Sequence, residues 1–475
     1  MGIVYEWEAA GDSAKMLIHC FPRTLFSPID SIGPEKLLND NALFLPPALL
    51  TSLIFGLVLL ASVGVKFWLA TRQIRAVARH RATVPEEFSQ SISLSAHQRA
   101  ADYTVTKLRF GLFELALGAA VLLGWTLLGG LDWLNASLLS AFGPGYPLIQ
   151  PLALIGVFAV INGLIDLPLA LYQTFVIEER FGFNKITFKL WLTDLLKSTL
   201  VGIVIGLPLV ALVLWLMQAT GNLWWLWTWC AWMGFSLLMM VIYPTVIAPI
   251  FNKFQPLQDE ALKERVTRLM ARCGFSSKGL FVMDGSRRSA HANAYFTGFG
   301  AAKRVVFFDT LLAQLSPEEV EAVLAHELGH FKHKHILKRI AGLFAFSLAG
   351  LALLGWLSNQ LWFYAGLGVS PNLPAQMGGT VSNHALALLL FVLTVPVFTF
   401  FLSPLMSQLS RKHEFEADAY AASQASAQDL SNALVKLYKD NASTLTPDPI
   451  YVRFYYSHPP ASERIARMGG KIVPV

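Results

Sequence analysis

Two clusters of ligand-type residues stand out in a chain of 475 residues. HELGHFKHKH, at 326–335, holds four histidines and a glutamate; RKHEFEADAY, at 411–420, brings Glu414, Glu416 and Asp418. Ser316, Pro317 and Glu319 spell a helix start, with Ser as N-cap, Pro at the first position and Glu closing a capping box. Val320, Val323, Leu324 and Leu328 follow at helical spacing. On such a helix His326 and His330, four apart, point the same way and can share one zinc ion at about 2.0–2.1 Å. Glu327 lies beside them, placed to take a proton from water: the HExxH arrangement. A catalytic zinc wants a third protein ligand and an open fourth position.

Glu414 is expected to be that third ligand. It lies 84 residues beyond His330, and a hairpin of two membrane helices fills the interval. At about 1.5 Å of rise per residue the two helix extensions reach similar height above the membrane. Asp418, one turn on, suits an acceptor for the outer N–H of a ligand histidine. Glu416 reads as a solvated charge and His413 as facing away from Glu414. His333 and His335 drift off the ligand face and read as polar groups or outer supports near the membrane surface. A surface helix with scattered histidines is the plainer alternative.

The elements that must position these groups are mostly membrane helices. The sequence is 54% hydrophobic and 14% charged, against about 25% charged in soluble domains. Runs of about 20 apolar residues, the length a span needs, occur near 43–71, 110–130, 148–175, 198–219, 224–251, 340–368 and 384–409. The third is broken by Gly163, Asp166 and Pro168. Three scattered cysteines, Cys20, Cys230 and Cys273, form no disulfide framework or metal motif. Lys and Arg alternate by loop. Arg72, Arg75, Arg79, Arg81, Arg99, Lys107 and Arg109 follow the first span; Arg180, Lys185, Lys189 and Lys197 follow the third. Segment 253–339 and the tail from Arg411 are also basic, whereas 132–146, 220–222 and 370–383 carry none. The positive-inside rule then puts the N-terminus outside and segments 253–339 and 411–475 in the cytoplasm. Glu114, Asn162 and Asp166 fall in or beside spans, where polar groups face a bundle interior, a buried partner or a water-filled cavity.

The combination of HELGH, EFEAD and YYSHPPASER (455–464), with FVIEERFGFNK (175–185), PIFNKFQPL (249–257) and HANAYFTG (291–298), resembles the type I CAAX prenyl protease family of integral-membrane zinc metalloproteases. Heat-shock membrane proteases share the zinc motif but not FVIEERFGFNK. The resemblance runs from about residue 150 to 467. It implies a mainly α polytopic fold, seven helices around an intramembrane chamber, with a small cytosolic α+β protease domain. The corresponding organisation is 1–40 of unknown role, membrane helices 1–5 in 41–252, the HExxH segment in 253–339, helices 6–7 in 340–410, and a C-terminal segment in 411–475. It further implies Asn293 as a side-chain clamp on substrate, where the plainer role is a turn. His458 and Arg464 become transition-state donors, although Arg464 could simply dock the tail. The expected enzyme holds one Zn2+ per chain on His326, His330 and Glu414, with Glu327 as base. It removes the C-terminal tripeptide of prenylated proteins at a bilayer, with no nucleic-acid partner, in a bacterial inner membrane or the endoplasmic reticulum. A quality-control metalloprotease without prenyl specificity is the nearest alternative. A transporter or channel with structural zinc is disfavoured, because such zinc is usually closed by four ligands, mostly Cys.

Overall fold

The computed structural model describes residues 45–143, 148–275, 279–297, 304–372 and 382–469. The N-terminal segment 1–40, and parts of the two non-basic loops at 144–147 and 373–381, lie outside the described residues. Among the described residues, seven helices are long and apolar enough to cross a membrane: Pro47–Arg79, Leu94–Trp125, Ile149–Glu178, Phe188–Ala219, Gly221–Phe251, His335–Leu357 and His384–Gln424. They present Leu57, Leu60, Leu164, Leu196 and Val204, all more than 60% exposed, to what must be lipid, because a helix that is apolar all round has no aqueous face.

Most spans run beyond the apolar stretches that announce them. The first continues through Arg72, Arg75 and Arg79, and the second begins at Leu94, capped by Ser93, which accepts from Ala96 N. Hydropathy marks where lipid is met, not where backbone hydrogen bonding ends. The third span is continuous through Gly163, Asp166 and Pro168 and closes in a π-turn at Gln173–Glu178. Asn162 in its middle accepts from the Trp125 indole at 3.2 Å and returns its amide to Phe158 O. The sixth span ends at Leu357 rather than near 368, and a separate short helix, Leu361–Gly366, follows it. The loop after the second span holds a further helix, Gly130–Phe142.

Among the described residues, the extramembrane part carries one four-stranded sheet: β1 (Phe254–Pro256), β2 (Leu280–Met283), β3 (Ala294–Thr297) and β4 (Arg304–Phe308), in the order β1-β2-β4-β3. Strand β2 runs parallel to β4, and β3 pairs antiparallel with it, Ala294 opposite Phe307. Residues 294–297 of HANAYFTG therefore form an edge strand. The sheet packs on helix Glu260–Arg272 and on Pro317–Lys332 through Val266, Leu269, Val305, Phe307, Leu324 and Leu328. Phe88 and Ile92, from the loop after the first span, enter the same core.

Forked ion pairs fasten this part to the membrane helices. Arg72, on the first span, grips Asp448 at 2.9 and 3.2 Å. Arg288, near the sheet, grips Asp194 on the fourth at 2.8 and 3.0 Å.

Candidate metalloprotease site

The motif helix, Pro317–Lys332, begins with the capping box that its sequence spells: Ser316 Oγ accepts from Glu319 N, and the Glu319 carboxylate accepts from Ser316 N at 2.7 Å. Lys436 closes on the same carboxylate at 2.8 Å. The helix crosses the end of the seventh span at Gly329. A Cβ there would lie 2.9 Å from Ala417 Cα and 3.0 Å from Ala417 O. Only glycine allows two backbones to come this close, and the approach sets Glu414 against the histidines.

Nε2 of His326 and Nε2 of His330 lie 3.2 Å apart. Oε2 of Glu414 is 3.3 Å from the first, and Oε1 is 3.3 Å from the second. All three residues are buried. Nδ1 of His326 faces Asp418 Oδ1 at 2.8 Å, which holds the proton on Nδ1 and leaves Nε2 as a lone pair. Two ring nitrogens and two carboxylate oxygens thus converge, and Oε2 of Glu414 is buried with no hydrogen-bond partner in the protein. Burying such a set is costly without a positive charge, and two imidazoles with one carboxylate make a donor set that metal ions take. The residues fit a metal ion. The field of the site has the same sign: burial works to lower the pKa of His326, but Asp418 and Glu414 outweigh it and raise it to about 9.

Around this core the structure brings most of the predicted residues together. Glu327 follows His326 on the motif helix, and its Oε2 is buried with no hydrogen-bond partner in the protein. Asp418 receives Nε and Nη2 of Arg464 at 2.8 and 2.6 Å, a two-pronged fork, while Nη1 of Arg464 stands 3.9 Å from Glu414. Arg464 thus spends two of its nitrogens on Asp418. Nε2 of His458 lies 3.4 Å from Glu414 Oε1, and its Nδ1 meets Ser457 Oγ at 2.9 Å. Burial above all, with Arg464 and the two histidines, pushes His458 down to about 4 against the pull of Glu414. Its ring is therefore neutral at neutral pH and keeps one N–H to donate. Arg411 donates to Val452 O and Tyr456 O, both at 2.8 Å, and so clamps the turn that carries His458 onto the seventh helix. Asn293 immediately precedes β3, its Oδ1 accepting from Ala294 N and its O from Phe308 N.

One reading changes, that of Glu416. It is more than a solvated charge: its Oε2 lies 2.8 Å from Nε2 of His335. His335, 1% exposed, in turn places Nδ1 3.0 Å from Nδ1 of His330. His413 stacks flat on His335, ring centres 4.0 Å apart. Spacing alone missed this because the motif helix does not run on. Lys334, at φ 57°, turns the chain before the sixth span starts at His335, one turn earlier than its apolar run. That non-glycine left-handed residue swings His335 back beneath His330, whereas an unbroken helix would carry it away.

Buried ligand-type groups on crossing helices, in a seven-span chain, define an integral-membrane metalloprotease. Comparison with known proteins agrees with this. Residues 73–253 match the family described as CAAX prenyl protease N-terminal, five membrane helices, and residues 256–471 match peptidase family M48. The chain is 35% identical over 399 residues to a CAAX prenyl protease 1 homolog of Arabidopsis thaliana, covering 82% of this chain and 91% of that protein. It is 33% identical over 427 residues to CAAX prenyl protease 1 of Saccharomyces cerevisiae, covering 86% and 93%. The crystal structure of S. mikatae Ste24p superposes with a TM-score of 0.81 at 31% identity, covering 90% of this chain and 99% of that one. The chain belongs to the CAAX prenyl protease 1 family of M48 membrane metallopeptidases.

Proposed function

We propose that this protein is a zinc endopeptidase that removes the C-terminal tripeptide of prenylated CAAX proteins, with its site open to the cytoplasm. The observation that carries the reading is the convergence of His326, His330 and Glu414, with Glu327 next to His326 on the motif helix and its Oε2 buried without a hydrogen-bond partner. Two imidazoles and one carboxylate match the three-ligand set of catalytic zinc, which leaves the fourth position open. When bound, zinc supplies Lewis acidity that polarises the scissile carbonyl and brings the pKa of a water to about 7.

The chain's own residues do the rest. Glu327 takes the proton of the attacking water and returns it to the leaving amine as general acid. His458, a neutral donor beside Glu414, is the candidate partner for the developing oxyanion, the large electrostatic term in acyl transfer. Arg464 holds Asp418, and Asp418 holds His326 with Nε2 toward the ion. Strand β3 lies at the sheet edge, where an extended peptide can add by main-chain hydrogen bonds. Asn293, whose Oδ1 is engaged by Ala294 N, would offer that peptide its amide N–H groups. The prenyl specificity rests on relatives that carry the name CAAX prenyl protease 1. The cytoplasmic orientation rests on the alternating basic loops.

Purified protein in lipid vesicles should release the terminal tripeptide from a farnesylated CAAX peptide, read by mass spectrometry, and carry one zinc per chain. An unprenylated twin should be cut far more slowly. Equal cleavage of both peptides would favour a quality-control protease. Cleavage of neither would sink the proposal.

A further inference from the structure

Behind His330 stand two groups that the proposed reaction does not touch. An ion held through Nε2 leaves the single proton of a neutral imidazole on Nδ1. The Nδ1 atoms of His330 and His335 lie 3.0 Å apart and have room for one proton between them. His335 therefore accepts at Nδ1, its own proton sits on Nε2, and Glu416 Oε2, 2.8 Å away, accepts it. One arrangement of protons satisfies every contact in the series.

From this geometry we infer that His335 and Glu416 are positioning residues that fix the tautomer and ring orientation of His330 and raise the basicity of its Nε2. The inference rests on the reading of His330 as a metal ligand. It gives each ligand histidine a carboxylate behind it, direct for His326 through Asp418 and relayed for His330 through His335. Outer partners of this kind orient ligands and strengthen their hold on the metal.

The same groups invite another assignment, because His333, His335 and Glu416 offer ligand atoms within 4.8 Å of one another. A second ion on His335 Nε2 would move that ring's proton to Nδ1, directly against the N–H of His330. Two donors facing each other at 3.0 Å repel, so the second ion and the loaded first site oppose each other. Lys412, 3.9 Å from Glu416, adds positive charge at the outer end. The relay is the arrangement compatible with a loaded centre.

Competition with a chelator on the full-length protein in detergent, with zinc and then cobalt as probe, measures the metal dissociation constant directly. Glu416→Ala and His335→Phe should each raise it by about 10–100-fold. The double variant should be no worse than His335→Phe alone, because Glu416 acts through His335. Glu416→Gln keeps a carbonyl acceptor, so it should recover most of the affinity and return the cobalt absorption bands to their wild-type positions. Glu416 is 32% exposed on its side chain, and its truncation carries the test if His335→Phe does not fold. An unchanged constant, or additive losses in the double variant, overturns the relay. So does a second ion in the wild type that His333→Ala removes. Metal content unaffected by His330→Ala would instead refute the ligand reading beneath it.

Discussion

The two flanks of the metal centre are supported in different ways. On the His326 side the supports are buried: Asp418 and Arg464 are 2% and 6% exposed, and the tail helix Ala461–Met468 delivers the arginine from 46 residues beyond its partner. On the His330 side the series runs outward, from His335 at 1% exposure to the Glu416 side chain at 32%; His335 opens the sixth span, and Glu416 shares the seventh with Glu414. A buried charge stripped of its partner stays uncompensated, whereas one at the surface is screened by water. The His326 flank therefore couples metal binding to folding of the tail, and the His330 flank adjusts affinity with less effect on the fold.

The sharpest way to break the contrast is Arg464→Met, which leaves Asp418 and Glu414 buried without their countercharge. Removing one member of a buried pair costs about 3–5 kcal/mol. Thermal stability and metal occupancy should therefore fall together, as followed by tryptophan fluorescence and elemental analysis. Stability within experimental error of wild type would show that the tail is not tied to the site.

Asp418→Asn and Glu416→Gln compare the flanks directly. Asn keeps an acceptor but loses the charge that answers Arg464, so its metal dissociation constant should rise by about 10–100-fold. Glu416→Gln should shift it several-fold less. Equal losses would mean that burial does not distinguish the two sides.

Gly329→Ala tests the crossing that both flanks share. The added Cβ meets the Ala417 backbone, which cannot rotate away, so overpacking should cost about 1–3 kcal/mol. Ala417→Gly in the same background should not restore the loss, because the clash is with Cα and O rather than the methyl. A rescued thermal midpoint would place the contact elsewhere.

The difference between the flanks also sorts what the sequence discloses. The motif helix, its capping box and the seven spans are local patterns, readable from residue spacing, and the capping hydrogen bonds form as spelled. Glu414 and Asp418 could be reasoned to because a hairpin of predictable length joins them to the histidines. The grip of Arg464 on Asp418 could not, since nothing in the order of residues says that the tail folds back into the site. The contact of His335 with His330 was hidden for a different reason. One left-handed residue, Lys334, resets the helical phase, and lysine carries no signal for that conformation. Glu416 was then misjudged because that contact was not foreseen.

The central claim is that the carboxylate of Glu327, with its Oε2 buried, performs the proton transfers of peptide cleavage at a metal held by other residues. Glu327→Gln keeps the size of the side chain and removes its basicity, so it separates chemistry from metal binding. Tripeptide release from a farnesylated CAAX peptide should fall by at least about 10²-fold, the usual range for loss of a general base. In the same sample, zinc should remain near one per chain. Cleavage at the wild-type rate with full zinc would contradict the account.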